Sequence, residues 1–120
     1  MISLYGCGFV GRNFKEMYND EVEVQDRDER VPLHNEILYM ISTVHNYHVH
    51  DDITRDVDTN LRVLCETLDY CRSKDITFNF VSSWFVYGKG GTIPATEVSV
   101  CNPTGFYSIT KKCAEDLIIS

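Results

Sequence analysis

Ile2-Ser3-Leu4-Tyr5-Gly6-Cys7-Gly8-Phe9-Val10-Gly11 is the stretch that decides the fold. Ile2 to Tyr5 is a short apolar run that stops at Gly6, and the residues beyond it place Val10, Phe14, Met17 and Tyr18 at helical spacing. Strand, tight turn and helix therefore follow one another, with Gly6-x-Gly8-x-x-Gly11 at the turn. Glycine permits the sharp turn and a close approach of backbone to a ligand. The helix start presents free N–H groups and a positive dipole, which together suit a pyrophosphate. The motif thus predicts a dinucleotide loop formed by Gly6, Gly8, Phe9, Val10 and Gly11.

Working outward, Asn19-Asp20 ends the first helix, and Val22 and Val24 alternate with polar residues up to Asp26 as a second strand. Ile37 to Ile41 is a continuous apolar run, the pattern of a strand buried on both faces of a parallel sheet. Leu61, Leu64, Cys65, Leu68 and Cys71 follow i, i+3, i+4, i+7 spacing and predict an amphipathic helix over 58–73. Phe78, Phe80 and Val81 give another strand running into Ser82 and Ser83. A Gly/Pro-containing loop from Gly88 to Pro103 then leads to a last helix over 106–120, striped by Phe106, Ile109, Cys113 and Leu117. Strands alternating with helices predict an α/β, doubly wound parallel sheet of Rossmann-like type, with ligands at the carboxyl ends of the strands. One link is unusual. Only Arg27 to Asn35 joins the second strand to the third, where a parallel crossover normally takes a dozen residues or more and includes a helix. Nine extended residues reach roughly 30 Å, enough to return along a strand and step over its neighbour with little slack.

Composition limits the function. A chain of 120 residues, 43% hydrophobic and 24% charged, suits one domain. Its formal charge of −7 argues against a dedicated nucleic-acid binder, which needs a basic face. The sequence holds no apolar run of membrane-spanning length and opens without a signal-like segment, so a cytoplasmic location is expected. Cys7, Cys65, Cys71, Cys101 and Cys113 contain no C-x-x-C pair and are expected to be reduced. His45, His48 and His50 read as a polar loop after a buried strand. No cysteine or paired carboxylate completes a ligand set with them, and no metal is expected.

The chemistry concentrates in two places. Asp26, fifteen positions past Gly11, ends the second strand where a carboxylate can accept hydrogen bonds from both adenosine ribose hydroxyls and repel a 2′-phosphate. This favours NAD; Arg27 beside it leaves NADP open. The second place combines Ser82-Ser83-Trp84-Phe85-Val86-Tyr87-Gly88 with Tyr107-Ser108-Ile109-Thr110-Lys111. Tyr107 and Lys111 are i, i+4 and emerge from one helix face. An ammonium held near a phenol favours the phenolate and fits it for general acid–base work, and a serine hydroxyl can orient the substrate oxygen.

These motifs, in this order, resemble the extended or atypical short-chain dehydrogenase/reductases, which include nucleotide-sugar epimerases, dehydratases and reductases. Tyr5 to Gly11 is similar to their glycine-rich loop, Ser82 to Gly88 matches their S-S-x-x-V-Y-G strand end, and Pro103, Tyr107 and Lys111 match their P-x-x-x-Y-x-x-x-K. Asn60 stands where the family carries an asparagine early in the helix before the serine strand. The resemblance covers nearly the whole chain. It implies Tyr107 as the proton-transferring residue, Lys111 as ribose ligand and partner of Tyr107, and Ser83 as the group holding a substrate hydroxyl or carbonyl. Ser42, Thr43 and Asn60 are implied beside the cofactor.

The departures are informative. Tyr5 replaces the usual first glycine of the family loop, and Trp84-Phe85 replaces the Asp-Glu pair of sugar 4,6-dehydratases, which disfavours dehydration. The family's strand and helices between the second strand and the Ile37 strand are missing. Family members also continue beyond the Tyr-Lys helix into further strands and a substrate domain, so the resemblance covers only their nucleotide-binding part. The expectation is an NAD-dependent epimerase or reductase of a nucleotide sugar, forming a homodimer through the helices over 58–73 and 106–120. The alternatives are a non-catalytic dinucleotide-binding module and an interaction fragment.

Overall fold

The computed structural model describes residues 1–44, 51–89 and 93–120. His45, His48 and His50 lie outside the described residues. In chain order the elements are β1 (Ile2–Tyr5), α1 (Phe9–Met17), β2 (Val22–Val24), β3 (Glu36–Tyr39), a single turn α2 (Arg55–Val57), a π turn (Asp58–Arg62), α3 (Val63–Cys71), β4 (Thr77–Phe80), a 3-10 turn (Trp84–Tyr87) and α4 (Phe106–Ile119). They divide into two compact units, Met1–Ser42 with Val63–Val81, and Thr43–Arg62 with Ser82–Ser120.

The first unit is a four-stranded sheet in the order β2-β1-β3-β4, parallel throughout. Side chains alternate across a strand, so Ser3 and Tyr5 leave β1 on one face and Leu4 on the other; all three are buried. Gly11 packs against the Leu4 side, where its α-carbon faces the Leu4 side chain and the Gly6 carbonyl, which puts α1 on that face. The opposite face carries an aromatic row. Tyr5, Tyr39 and Phe80 are in register across β1, β3 and β4. The Tyr5 and Tyr39 ring centres lie 5.7 Å apart, and Phe78 stacks on Tyr39 at 5.6 Å.

The helix-free link from β2 to β3 runs over this second face, stitched down by side chains. The Tyr5 hydroxyl donates to the Arg30 carbonyl (3.0 Å), and Ser3 Oγ accepts from the His34 N–H (2.8 Å). Buried Gln25 accepts from the Leu33 N–H (2.8 Å) and donates to the Val31 carbonyl (3.2 Å). Arg30 pairs with Glu66 of α3 at 2.9 Å. Backbone groups that a helix would have satisfied internally are thus satisfied one by one. Tyr5, which departs from the family glycine, is one of the anchors. The short crossover is therefore real, and connections on opposite faces of one sheet make it doubly wound.

The helix expected over 58–73 is not one continuous α-helix. The π turn interrupts it at Asp58–Arg62 and places Asn60 inward, 2% exposed, ahead of buried Leu64 and Thr67. Apolar periodicity carries no signal for such a turn, since a single inserted residue leaves the apolar spacing on either side recognisable as helical.

In the second unit α4 packs against α2, the π turn and the 3-10 turn. Its buried residues are Ser108, Thr110, Lys111 and Ala114. The apolar stripe read from sequence lies elsewhere: Phe106, Ile109 and Leu117 are exposed, Ile109 by 52%, and Cys113 is half-buried. Val10, Met17 and Tyr18 of the first helical stripe are likewise exposed, with only Phe14 half-buried.

Candidate active site

The first unit gathers the loop residues at the carboxyl ends of β1 and β2. Gly6 has φ of +93°, and a Cβ there would meet the Ile41 nitrogen at 2.7 Å; a Cβ on Gly11 would meet the Gly6 carbonyl oxygen at 2.3 Å. Both glycines are required by the fold itself. Gly8 is different, since a Cβ on it would meet nothing within 4 Å. It caps the start of α1 without a side-chain hydrogen bond, and the first turn holds no acidic residue. The N–H groups of Phe9, Val10 and Gly11 therefore begin a helix whose open end has free space beside a residue lacking a side chain. That is a cradle fit for a phosphate group.

Asp26 lies level with this turn one strand away. Leu4 is opposite Val24, and the Gln25 N–H continues the ladder to the Leu4 carbonyl at 2.8 Å. The Asp26 side chain is exposed, while its carbonyl accepts from the Glu29 N–H and closes a turn. Ser42 is half-buried just beyond the end of β3.

In the second unit Ser83 is the N-cap of the 3-10 turn, accepting at Oγ from the Phe85 N–H (3.2 Å). That role leaves the serine proton able to donate. Tyr107 is in the first turn of α4, half-buried, with its ring edge-on to Phe85 at 6.4 Å. Lys111, one turn on, is 2% exposed. Burial pushes its pKa down to about 8, opposed by the nearby Glu115 carboxylate. Ser82 donates to that same carboxylate, which fastens the segment carrying Ser83 to α4. Serine, tyrosine and lysine are thus borne by elements in direct contact.

Asn60 and Thr43, which the resemblance implies beside the cofactor, are joined to each other and to α4. The Asn60 amide oxygen accepts from the Thr43 N–H (2.8 Å), and its nitrogen donates to Thr43 Oγ1 (2.9 Å) and Thr110 Oγ1 (3.0 Å). Both amide protons are committed within the unit, which makes Asn60 a brace for α4. Thr43 also donates from its hydroxyl to Asp56. Asp56, Thr110 and Glu115 were not evident as site residues from sequence; the inward partners that give them roles are distant in the chain. Among the described residues no group of three or more His, Cys, Asp or Glu side chains is placed to hold a metal ion, and no helix is long and apolar enough to cross a membrane.

A strand–glycine turn–helix with an open helix start, on a parallel doubly wound sheet, defines a Rossmann-like nucleotide-binding fold. The model of the NAD dependent epimerase/dehydratase family matches residues 11–120, and the chain belongs to that family. The match begins at Gly11, so the reading of Gly6 and Gly8 rests on their geometry. No curated protein is similar enough to the chain to count as a match. Among solved structures, RMD from Pseudomonas aeruginosa complexed with NADPH is 20% identical with a TM-score of 0.79, over 97% of this chain and 46% of that one. A UDP-glucuronic acid 4-epimerase variant from Bacillus cereus, in complex with a fluorinated UDP-glucuronic acid and NAD, is 16% identical with a TM-score of 0.81, over 98% and 51%. A UDP-galactose 4-epimerase is 17% identical with a TM-score of 0.81, over 97% and 49%. The chain thus spans about half the length of these structures.

Proposed function

We propose that this chain is the nucleotide-binding part of an NAD(P)-dependent epimerase or reductase that acts on a nucleotide sugar. The observation that carries the reading is buried Lys111 one helical turn after Tyr107, on a helix packed against the turn that Ser83 caps. Gly6, Gly8 and the N–H groups of Phe9, Val10 and Gly11 would hold the pyrophosphate, and Asp26 the adenosine ribose, with NAD preferred over NADP. Ser42 would line the cofactor as well. When bound, the nicotinamide supplies hydride acceptance and return.

The chain's own residues handle the proton. Ser83 Oγ donates to the substrate oxygen and fixes its position. Tyr107 Oη takes the hydroxyl proton on oxidation and gives it back on reduction, while Lys111 holds positive charge beside it and binds the nicotinamide ribose. Trp84-Phe85 offers no acid–base pair for eliminating water, so epimerisation or carbonyl reduction is favoured over dehydration. The absence of a membrane-length helix among the described residues is compatible with action in the cytoplasm. The exposed Phe106/Ile109/Leu117 stripe on α4 supports self-association as a homodimer.

The test is turnover of nucleotide sugars by the full-length protein. Tyr107→Phe should abolish it and leave cofactor binding almost intact, because only the transferable proton is removed. Lys111→Met should damage both. An enzyme indifferent to Tyr107→Phe would overturn the mechanism. Cofactor binding by a full-length protein with no turnover on any nucleotide sugar would favour the non-catalytic module.

A further inference from the structure

Asp56 is a carboxylate that the proton-transfer scheme does not use, yet it is 2% exposed in the single turn α2. Burying a charge is costly unless hydrogen bonds compensate, and its partner is the Thr43 hydroxyl. From there a chain of hydrogen bonds runs inward. Asn60 Nδ2 donates to Thr43 Oγ1 (2.9 Å) and to Thr110 Oγ1 (3.0 Å), and Thr110 Oγ1 donates to the Tyr107 carbonyl (2.9 Å).

The direction of this chain is fixed by its ends. A carboxylate and a carbonyl only accept, and each threonine hydroxyl has one proton to give. Thr43 gives its proton to Asp56, so toward Asn60 it can only accept. Thr110 gives its proton to Tyr107, so toward Asn60 it too can only accept. The Asn60 amide is the one group able to donate both ways, and it cannot flip, because its oxygen already accepts from the Thr43 N–H at 2.8 Å. Without the carboxylate, the Thr43 hydroxyl loses the acceptor that orients it toward Asn60 within this chain of hydrogen bonds, and the brace on Thr110 loosens.

We propose that Asp56 is a positioning residue: through Thr43, Asn60 and Thr110 it sets the seat of the first turns of α4, which carry Tyr107 and Lys111. The inference rests on the functional reading above. Asp56 itself touches neither reacting atoms nor substrate.

The experiment compares Asp56→Ala and Asp56→Asn in the full-length protein by steady-state kinetics and residue-resolved amide exchange. Asp56→Ala should lower kcat by about 10- to 100-fold, the scale of a displaced catalytic group, with KM and cofactor affinity little changed. Asp56→Asn keeps an acceptor oxygen for Thr43 and should restore most of the loss. Exchange should quicken at the Thr43 and Lys111 amides in Asp56→Ala, while the Leu4 amide keeps its wild-type rate. Wild-type kcat and exchange in Asp56→Ala would overturn the proposal. So would an Asn variant no better than Ala, or exchange that quickens equally at Leu4, which would mark general destabilisation. Exchange does not depend on turnover. A wild-type protein that turns over no nucleotide sugar refutes the functional reading, and the exchange pattern then decides the brace by itself.

Discussion

At Lys111 the cost of burial and the role proposed for the residue oppose each other. Its ammonium is buried, and its pKa is brought down from 10.5 to about 8, chiefly by loss of water, with Glu115 pulling the other way. Between those values the unfolded chain holds the proton more tightly than the folded one, so this group's contribution makes stability rise as pH climbs from about 8 toward 10.5; below about 8 the full burial cost is present. Lys111→Met should therefore be at least as stable as wild type at pH 7, with the advantage shrinking toward pH 10.5, as read by urea unfolding at both pH values. A variant clearly less stable at pH 7 would mean that the ammonium's partners outweigh its desolvation. The pairing of Tyr107 and Lys111 is visible in sequence because i, i+4 geometry is local, and Ser83 is visible through its own motif. Asn60 was also visible, but its commitment to Thr43 and Thr110 was not, since those partners lie 17 and 50 residues away. Asp56 gave no signal at all: a carboxylate among polar residues looks solvated until the fold encloses it.

At the scale of elements, alternating strands and helices predicted the sheet, and the nine-residue link was recognisable as too short for a helix. What could not be read was how it is held. Gln25 makes two of those contacts with one side chain, bonding to the Leu33 N–H and the Val31 carbonyl. Gln25→Ala should cost about 2–3 kcal/mol, since two backbone groups lose their partner. Urea unfolding with an unchanged m-value would report it, and a loss below about 0.5 kcal/mol would show that water replaces the amide. The π turn escaped the periodic reading because apolar spacing continues through it. The α4 stripe was legible as apolar, but its outward orientation depends on Ser108, Lys111 and Ala114 taking the inner face.

At the scale of the whole molecule, that outward stripe is the face through which the proposed homodimer would form. Wild-type protein should sediment as a dimer at micromolar concentration, and Ile109→Glu, at a position 52% exposed, should shift it to monomer without unfolding it. A monomeric wild type would remove the dimer from the account. Because the chain spans about half of its structural relatives, residues 1–120 alone should show no measurable turnover: a substrate that is not positioned forfeits a proximity contribution of roughly 7–11 kcal/mol. Dinucleotide binding is the claim these residues can answer themselves, and Gly8 isolates it, because the fold does not need a glycine there. The decisive measurement is a nicotinamide-fluorescence titration of the folded chain with NADH and NADPH. Wild type should prefer NADH, and Gly8→Val should keep its melting temperature while losing binding; absent or equal binding of both cofactors by folded wild type, or full binding by Gly8→Val, would contradict the account.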